Sequence, residues 1–222
     1  MPIPVTQPGE ADAKFARDAW LRALAKTATI GERGITLPAL IDRLAGQFTA
    51  APALVSAEAS MTYGQLGFRC NQYSRWALTH DLQPGDAVSL LMSNCAEYLA
   101  IWLGLTRIGV VVALVNSQLS GDVLAHSIKI ADPKYLIVGA DLAPRVAAIR
   151  ARLPAALACR VVGPSTQDFM PLETELTSMS GEPLPLSERG PPSIDATALY
   201  IYTSGTTGLP KAAKVSHYRL MQ

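Results

Sequence analysis

Thr203-Ser204-Gly205-Thr206-Thr207-Gly208-Leu209-Pro210-Lys211 interleaves four hydroxyl side chains with two glycines and closes on a proline and a lysine. Hydroxyls, together with backbone N–H groups that glycine leaves uncovered, surround anionic oxygens well. An ammonium on a flexible stem adds a mobile positive charge. The combination suits a polyphosphate. Each charge-assisted hydrogen bond contributes about 1.5–3 kcal/mol net, so three or four retain a triphosphate and still release it. An apolar run, Ala198-Leu199-Tyr200-Ile201-Tyr202, leads into the segment and reads as a strand. The residues assigned to phosphate binding are Thr203, Ser204, Gly205, Thr206, Thr207, Gly208 and Lys211. Lys211 carries the most specific role, because a flexible ammonium beside a hydroxyl-rich loop is a phosphate partner.

Spacing decides which phosphate loop this is. A Walker-type loop needs Gly, four residues, then Gly-Lys-Ser/Thr. Counted from Gly205, Pro210 stands where the second glycine belongs, and Ala212 follows Lys211. Gly205 and Gly208 also miss the Gly-x-Gly-x-x-Gly frame of a dinucleotide fingerprint. Other reactive residue types have plainer readings. Ser216 is placed to cap a helix with His217 in its first turn, a structural role. His80 and His126 fall in helical patterns without ligand spacing, so no metal site is expected. Cys70, Cys95 and Cys159 fit neither a disulfide framework nor a metal knuckle and read as small buried hydrophobes in a reducing compartment. Trp20, Trp76 and Trp102 read as packing residues, and Arg145, Arg150 and Arg152 as a solvated helix face.

The elements that must position the loop follow from periodicity. Thr36 caps a helix over 37–47, with Pro38 tolerated in its first turn. Thr62 and Gln65 have capping-box spacing, Met61 and Leu66 can form the staple, and Leu66, Cys70, Tyr73 and Ala77 make one apolar face running to about His80. Pro84-Gly85-Asp86 turns the chain into a strand over 87–92. Asn94 is placed to cap a helix over 95–108 that is apolar nearly all round. Strands over 110–115, 135–138 and 160–162 then alternate with helices over 120–131 and 141–152. Continuous Val/Leu/Ile runs between helices indicate an α/β fold with a parallel-rich sheet covered by helices on both faces. Pro164, Pro171, Pro183, Pro185, Pro191 and Pro192 make 163–195 an irregular surface connection. Residues 12–27 place Phe15, Ala19 and Leu24 at roughly helical spacing among charges, an amphipathic helix outside the main fold, for which packing on its own protein is the commoner reading and resting on a membrane surface the alternative.

Composition narrows the class. The 222 residues are 49% hydrophobic and 17% charged, in the range of well-packed proteins rather than disordered ones. A net charge of +1 without a basic block speaks against nucleic acid as a partner. The stretch from Cys95 to Val115 is interrupted by Glu97 and Arg107, and its uncharged pieces fall short of the roughly 20 residues a membrane span needs. No secretory signal is evident at the start of the chain.

The segment from Tyr200 to Lys211 resembles the AMP-binding signature of the adenylate-forming enzymes, which include acyl-CoA synthetases, luciferases and peptide-synthetase adenylation domains. Residues 36–222 are similar to the amino-terminal part of the fatty-acid-transport-protein branch, the long-chain and very-long-chain acyl-CoA synthetases. Ala212-Ala213 after Lys211, Leu99-Ala100-Ile101-Trp102-Leu103-Gly104-Leu105 and Gly109-Val110-Val111-Val112-Ala113-Leu114-Val115-Asn116 carry that second likeness. The resemblance implies a 1–35 helical extension followed by a 36–222 part of an adenylation domain. It also implies ATP, Mg2+ and CoA as cofactors and a fatty acid as substrate, activated to an acyl-adenylate, transferred to CoA and coupled in some members to uptake. The setting it implies is cytoplasmic, with peripheral contact at the inner face of the membrane left open. The adenine loop, the aromatic-x-Thr-Glu segment that holds Mg2+, the ribose-binding Asp, the hinge and the catalytic lysine of that family all lie downstream of the matched positions. The expectation is therefore an amino-terminal fragment that holds phosphate but carries no assignable catalytic or metal-ligating residue and is inactive alone. Two alternatives remain open: a non-catalytic nucleotide-binding or interaction module, and a synthetase for another carboxylic acid.

Overall fold

The computed structural model describes residues 14, 17–22, 25, 34–56, 60–166, 168–185, 187, 188, 190–203 and 209–222. Between residue 34 and the main sheet lie two helices and a small hairpin. α1 (Leu37–Gln47) is capped by the Thr36 hydroxyl, which accepts from the Ala39 amide at 3.4 Å. β1 (Pro52–Val55) and β2 (Ser60–Thr62) pair antiparallel. α2 (Tyr63–Thr79) starts on the expected capping box: the Thr62 hydroxyl accepts from the Gln65 amide at 3.2 Å, and the Gln65 side chain accepts from the Thr62 amide at 2.8 Å. Leu66, Cys70, Tyr73 and Ala77 are all buried, as their steps of four, three and four require.

The chain then alternates strand and helix: β3 (Ala87–Leu91), α3 (Ala96–Arg107), β4 (Val111–Leu114), α4 (Gly121–Ile130), β5 (Pro133–Gly139), α5 (Ala143–Ala147), β6 (Ala158–Val162), β7 (Met170–Pro171), α6 (Leu172–Leu176), β8 (Thr197–Thr203), β9 (Lys211–Ser216) and α7 (His217–Met221). The seven-stranded sheet has the order β7-β6-β5-β3-β4-β8-β9, parallel throughout except for β9, which runs antiparallel to β8. The path from β3 to β4 steps one way and the path from β4 to β5 steps back past β3. Right-handed crossovers then require α3 and α4 on opposite faces. The two core clusters agree: Tyr73, Trp76, Ile101 and Leu105 from α2 and α3 build one, while Leu124, Ile128 and Val146 from α4 and α5 build the other. All five residues of β3 are buried, which is why that strand lacks alternation in the sequence.

α2 and α3 approach closely at Gly104, where a Cβ would lie 2.6 Å from the Cys70 carbonyl oxygen and 2.8 Å from the Tyr73 Cβ. The Ser74 hydroxyl donates across the contact to the Gly104 carbonyl at 2.7 Å. Arg69 on α2 completes the helix pair. Its Nε donates to Glu97 at 2.9 Å, one Nη pairs with Glu173 of α6 at 2.8 Å, and the Tyr73 hydroxyl also donates to Glu97.

Several expectations are corrected. Cys95 rather than Asn94 is the residue before α3, and its extended backbone (φ −156°, ψ 172°) delays the helix by one residue without a side-chain cap. The helix expected over 141–152 is two short pieces, α5 and a 3-10 turn over Arg150–Arg152, with Pro144 fixing the start of the first. The 163–195 connection is not wholly irregular, since β7 and α6 form within it. Leu172 and Leu176 are buried there, and α2 holds the segment through Gln72 to the Leu176 and Met179 carbonyls (3.2 and 3.1 Å) and Asn71 to the Gly181 carbonyl (2.8 Å). Cys95 is exposed, unlike Cys70. Trp76 and Trp102 are buried but Trp20 is 64% exposed, so it is not a packing residue. Residues 17–22 are helical, whereas Phe15 and Leu24 of the expected stripe lie outside the described residues.

Candidate functional site

β8 places the loop. It lies beside β4 with Val112, Ala113 and Leu114 opposite Leu199, Tyr200 and Ile201, so its carboxyl end opens on the same edge of the sheet as those of β3, β4 and β5. Open α/β sheets present their ligands at that edge. β8 and β9 form a hairpin whose last pair is Thr203 opposite Lys211. The two described ends of the glycine- and hydroxyl-rich segment therefore face each other across its mouth. Ser204, Gly205, Thr206, Thr207 and Gly208, which complete the assigned set, lie outside the described residues.

Directly opposed residues share a face of the hairpin, and successive ones alternate. Thr203, Lys211, Ile201 and Ala213 are exposed and fall on one face. Tyr202 and Ala212 fall on the other, against α4. The Tyr202 hydroxyl donates to the Ser127 carbonyl at 2.7 Å, and Nε2 of His126 lies 3.1 Å from the Pro210 carbonyl. Burial, with a smaller effect of neighbouring Tyr200, pushes the Tyr202 phenol well up from its ordinary value, so the hydroxyl stays protonated. Sequence reasoning had left both residues without a role here. No motif spacing links His126 to Pro210, which are 84 positions apart. Only the placement of β8 beside β4, with α4 following β4, brings them together.

His217 falls as expected at the start of α7, with the Ser216 hydroxyl accepting from the Arg219 amide at 3.3 Å. It is fully buried, and burial lowers it to about 4. Neither ring nitrogen has a hydrogen-bond partner among the described residues. A buried imidazole without a carboxylate or substrate-facing partner is poorly set up as a general base. Cavities among the described residues include two that neither Thr203 nor Lys211 lines. One of about 340 Å³ between α1, α2 and residues 181–183 contains the Asp42–Arg107 ion pair (3.0 Å). Another of about 610 Å³ opens by Asp86 and Lys134 at the amino ends of the strands. Among the described residues no group of three or more His, Cys, Asp or Glu side chains could hold a metal ion. No helix among them is long and apolar enough to cross a membrane.

The family model described as "AMP-binding enzyme" matches residues 41–222, most of the chain and the whole of the β8–β9 hairpin. The chain belongs to the AMP-binding enzyme family. Its similarity extends to the mouse (Mus musculus) long-chain fatty acid transport protein 6, 40% identical over 167 residues, which cover 72% of this chain and 26% of that protein. The chain thus spans about a quarter of the length of that relative. Two solved structures share the fold. An anthranilate CoA ligase in complex with anthranoyl-AMP has a TM-score of 0.75 at 21% identity, over 83% of this chain and 35% of the other. A Mycobacterium tuberculosis fatty acyl CoA synthetase has a TM-score of 0.69 at 24% identity, over 82% and 34%. For this AMP-binding chain, the α/β architecture and the transport-protein likeness read from its motifs both hold.

Proposed function

We propose that this chain supplies the phosphate-holding part of an ATP-dependent fatty acyl-CoA synthetase. In the reaction a fatty acid carboxylate attacks the α-phosphorus of ATP, forming an acyl-adenylate and releasing pyrophosphate. The CoA thiol then attacks the acyl carbon and AMP leaves. Thr203, Ser204, Gly205, Thr206, Thr207 and Gly208 offer hydroxyl and backbone N–H donors to the β- and γ-phosphate oxygens, and Lys211 offsets the charge that grows on the leaving pyrophosphate. The observation that carries this reading is the Thr203–Lys211 pair at the carboxyl end of β8, which sets a hydroxyl and an ammonium at the two ends of one loop. The donor set fits a polyphosphate. Mg2+ would share the phosphate charge through ligands other than a carboxylate cluster of the described residues. The names of the relatives support the fatty acid as substrate class and CoA as acceptor. Residues 36–222 are taken as the adenylation-domain part and 1–35 as an extension before it, with peripheral membrane contact as the accompanying location.

Lys211 is exposed. In the full-length protein, Lys211→Ala is expected to leave stability within about 0.5 kcal/mol. Loss of one charge-assisted contact worth about 1.5–3 kcal/mol slows adenylate formation by roughly 10- to 150-fold. Thioester formation from a supplied acyl-adenylate changes by less than about threefold, since that step no longer involves the β- and γ-phosphates. Pyrophosphate release and thioester formation, assayed separately, check this. Equal losses in the two half-reactions would remove Lys211 from the phosphate site.

A further inference from the structure

Adjacent residues of α4 hold both stems of the β8–β9 loop. On the incoming stem, Tyr202 precedes Thr203 and its hydroxyl donates to the Ser127 carbonyl. Ser127 lies in the last turn of α4, so the tyrosine reaches the backbone near the end of that helix. On the outgoing stem, Pro210 precedes Lys211. A carbonyl oxygen only accepts, so the His126 Nε2 facing it carries the proton. The pyrrolidine ring fixes φ of Pro210. A hydrogen bond on its carbonyl then fixes ψ as well, and so sets the direction in which Lys211 leaves the loop.

We propose that α4 clamps the phosphate loop at both ends, with Tyr202 and His126 as positioning residues for Thr203 on the incoming stem and Lys211 on the outgoing one. The proposal rests on the phosphate reading of the loop. Seven residues separate Thr203 from Lys211, more than the two to five of most hairpin connections. Tying both stems to one helix fixes where Thr203 and Lys211 stand before ligand arrives. Neither side chain reaches the phosphates in this role. The helix is itself anchored, with Leu124, Ala125, Ser127 and Ile128 buried against the sheet, so it serves as a fixed reference for the mobile ligand.

The test uses the full-length protein with His126→Leu, His126→Gln and Tyr202→Phe. Hydrogen exchange of peptides covering 200–216 is read without nucleotide, and KM for Mg-ATP and kcat for pyrophosphate release are read separately. Loss of either hydrogen bond is expected to speed exchange in the loop stems about three- to tenfold, with α2 and α3 unchanged. KM for Mg-ATP rises by a similar factor while kcat stays within about twofold. Glutamine keeps an N–H donor and recovers at least half of the leucine defect. Tyr202→Phe removes a single oxygen and serves where the histidine variants fold poorly. Unchanged stem exchange in both Leu and Phe variants would overturn the clamp, as would faster exchange spread evenly over the sheet or a glutamine variant no better than leucine. If Mg-ATP gives no protection to the loop of the unaltered protein, the phosphate reading and the positioning role fall together. The nucleotide-free exchange still reports whether α4 holds the stems.

Discussion

Removing the Glu175 carboxylate should loosen the face of the sheet covered by α2. Glu175 on α6 accepts from Trp76 Nε1 at 2.6 Å and from Arg160 Nε at 3.0 Å, and Arg160 Nη2 lies 2.9 Å away. His80 stands 3.6 Å off, and its ring stacks at a tilt on Trp76 with centroids 4.7 Å apart. One carboxylate thus joins α2, β6 and α6. The side chains of Glu175 and Arg160 are 17% and 15% exposed, so water reaches the pair only in part. Two charge-assisted contacts at about 1.5–3 kcal/mol each set an upper limit near 6 kcal/mol, and partial rehydration of the stranded guanidinium lowers it. Glu175→Ala is therefore expected to cost about 3 kcal/mol at pH 7. Burial opposes ionisation of Glu175, but the Arg160 and Trp76 hydrogen bonds and the Arg160 charge outweigh it and hold the carboxyl below its ordinary value. With the folded value depressed, the contribution is complete above the unfolded value of about 4.3 and is lost as pH falls through the folded one. The difference between parent and Glu175→Gln should therefore be constant from pH 7 to about 5 and shrink below about pH 4. Urea unfolding followed by tryptophan fluorescence at several pH values measures both. A loss under 1 kcal/mol at pH 7, or a difference that does not narrow in acid, would refute the reasoning.

Two further outcomes rest on other elements. His217 is held near 4 by burial, below its unfolded value of about 6.5, so its contribution is full above pH 6.5 and is lost as pH falls toward 4. His217→Leu should remove about 2 kcal/mol of the stability loss between pH 7 and 5, and parallel urea midpoints for parent and variant across that range would contradict it. Gly104→Ala places a Cβ 2.6 Å from the Cys70 carbonyl oxygen, an obstacle made of backbone rather than a movable side-chain tip. The two helices must separate, at about 1–3 kcal/mol, and an unchanged thermal midpoint would mean that the contact yields freely.

Local chemistry was the legible part of the sequence. Thr62 with Gln65, Thr36, Ser216 and the Leu66-Cys70-Tyr73-Ala77 face each act over one or two helical turns, and each lies where its spacing puts it. The mostly apolar runs at 87–91 and 111–114 point to the parallel sheet because strands buried on both faces have no polar side. Long-range partners were the illegible part. α6 is five residues following Pro171, too short to be held by propensity. It exists because Glu173 and Glu175 meet Arg69, Arg160 and Trp76, which come from distant positions. Buried Asn71 and Gln72 on α2 were a usable signal, since polar groups inside a helix pair need acceptors from somewhere. The β9 strand was missed for a similar reason. Lys211-Ala212-Ala213-Lys214 has weak β propensity and is extended because β8 offers it a pairing edge.

The candidate site shows the same division within a single loop. Hydroxyls, glycines and a lysine announce what the loop can bind, because binding a phosphate depends on residue types at close spacing. What orients the loop depends on where the sheet sends the chain. β4 leads into α4, β8 returns much later to pair with β4, and α4 then lies beside the strand that carries the loop. That return brings His126 to Pro210 and Ser127 to Tyr202 across gaps of 84 and 75 residues. The donor at 126 and the carbonyl at 127 are the groups of α4 that hydrogen-bond the two stems. The binding chemistry is thus encoded locally and its rigidity globally. Substitutions in α4 should therefore alter nucleotide affinity while leaving the loop's own residues untouched.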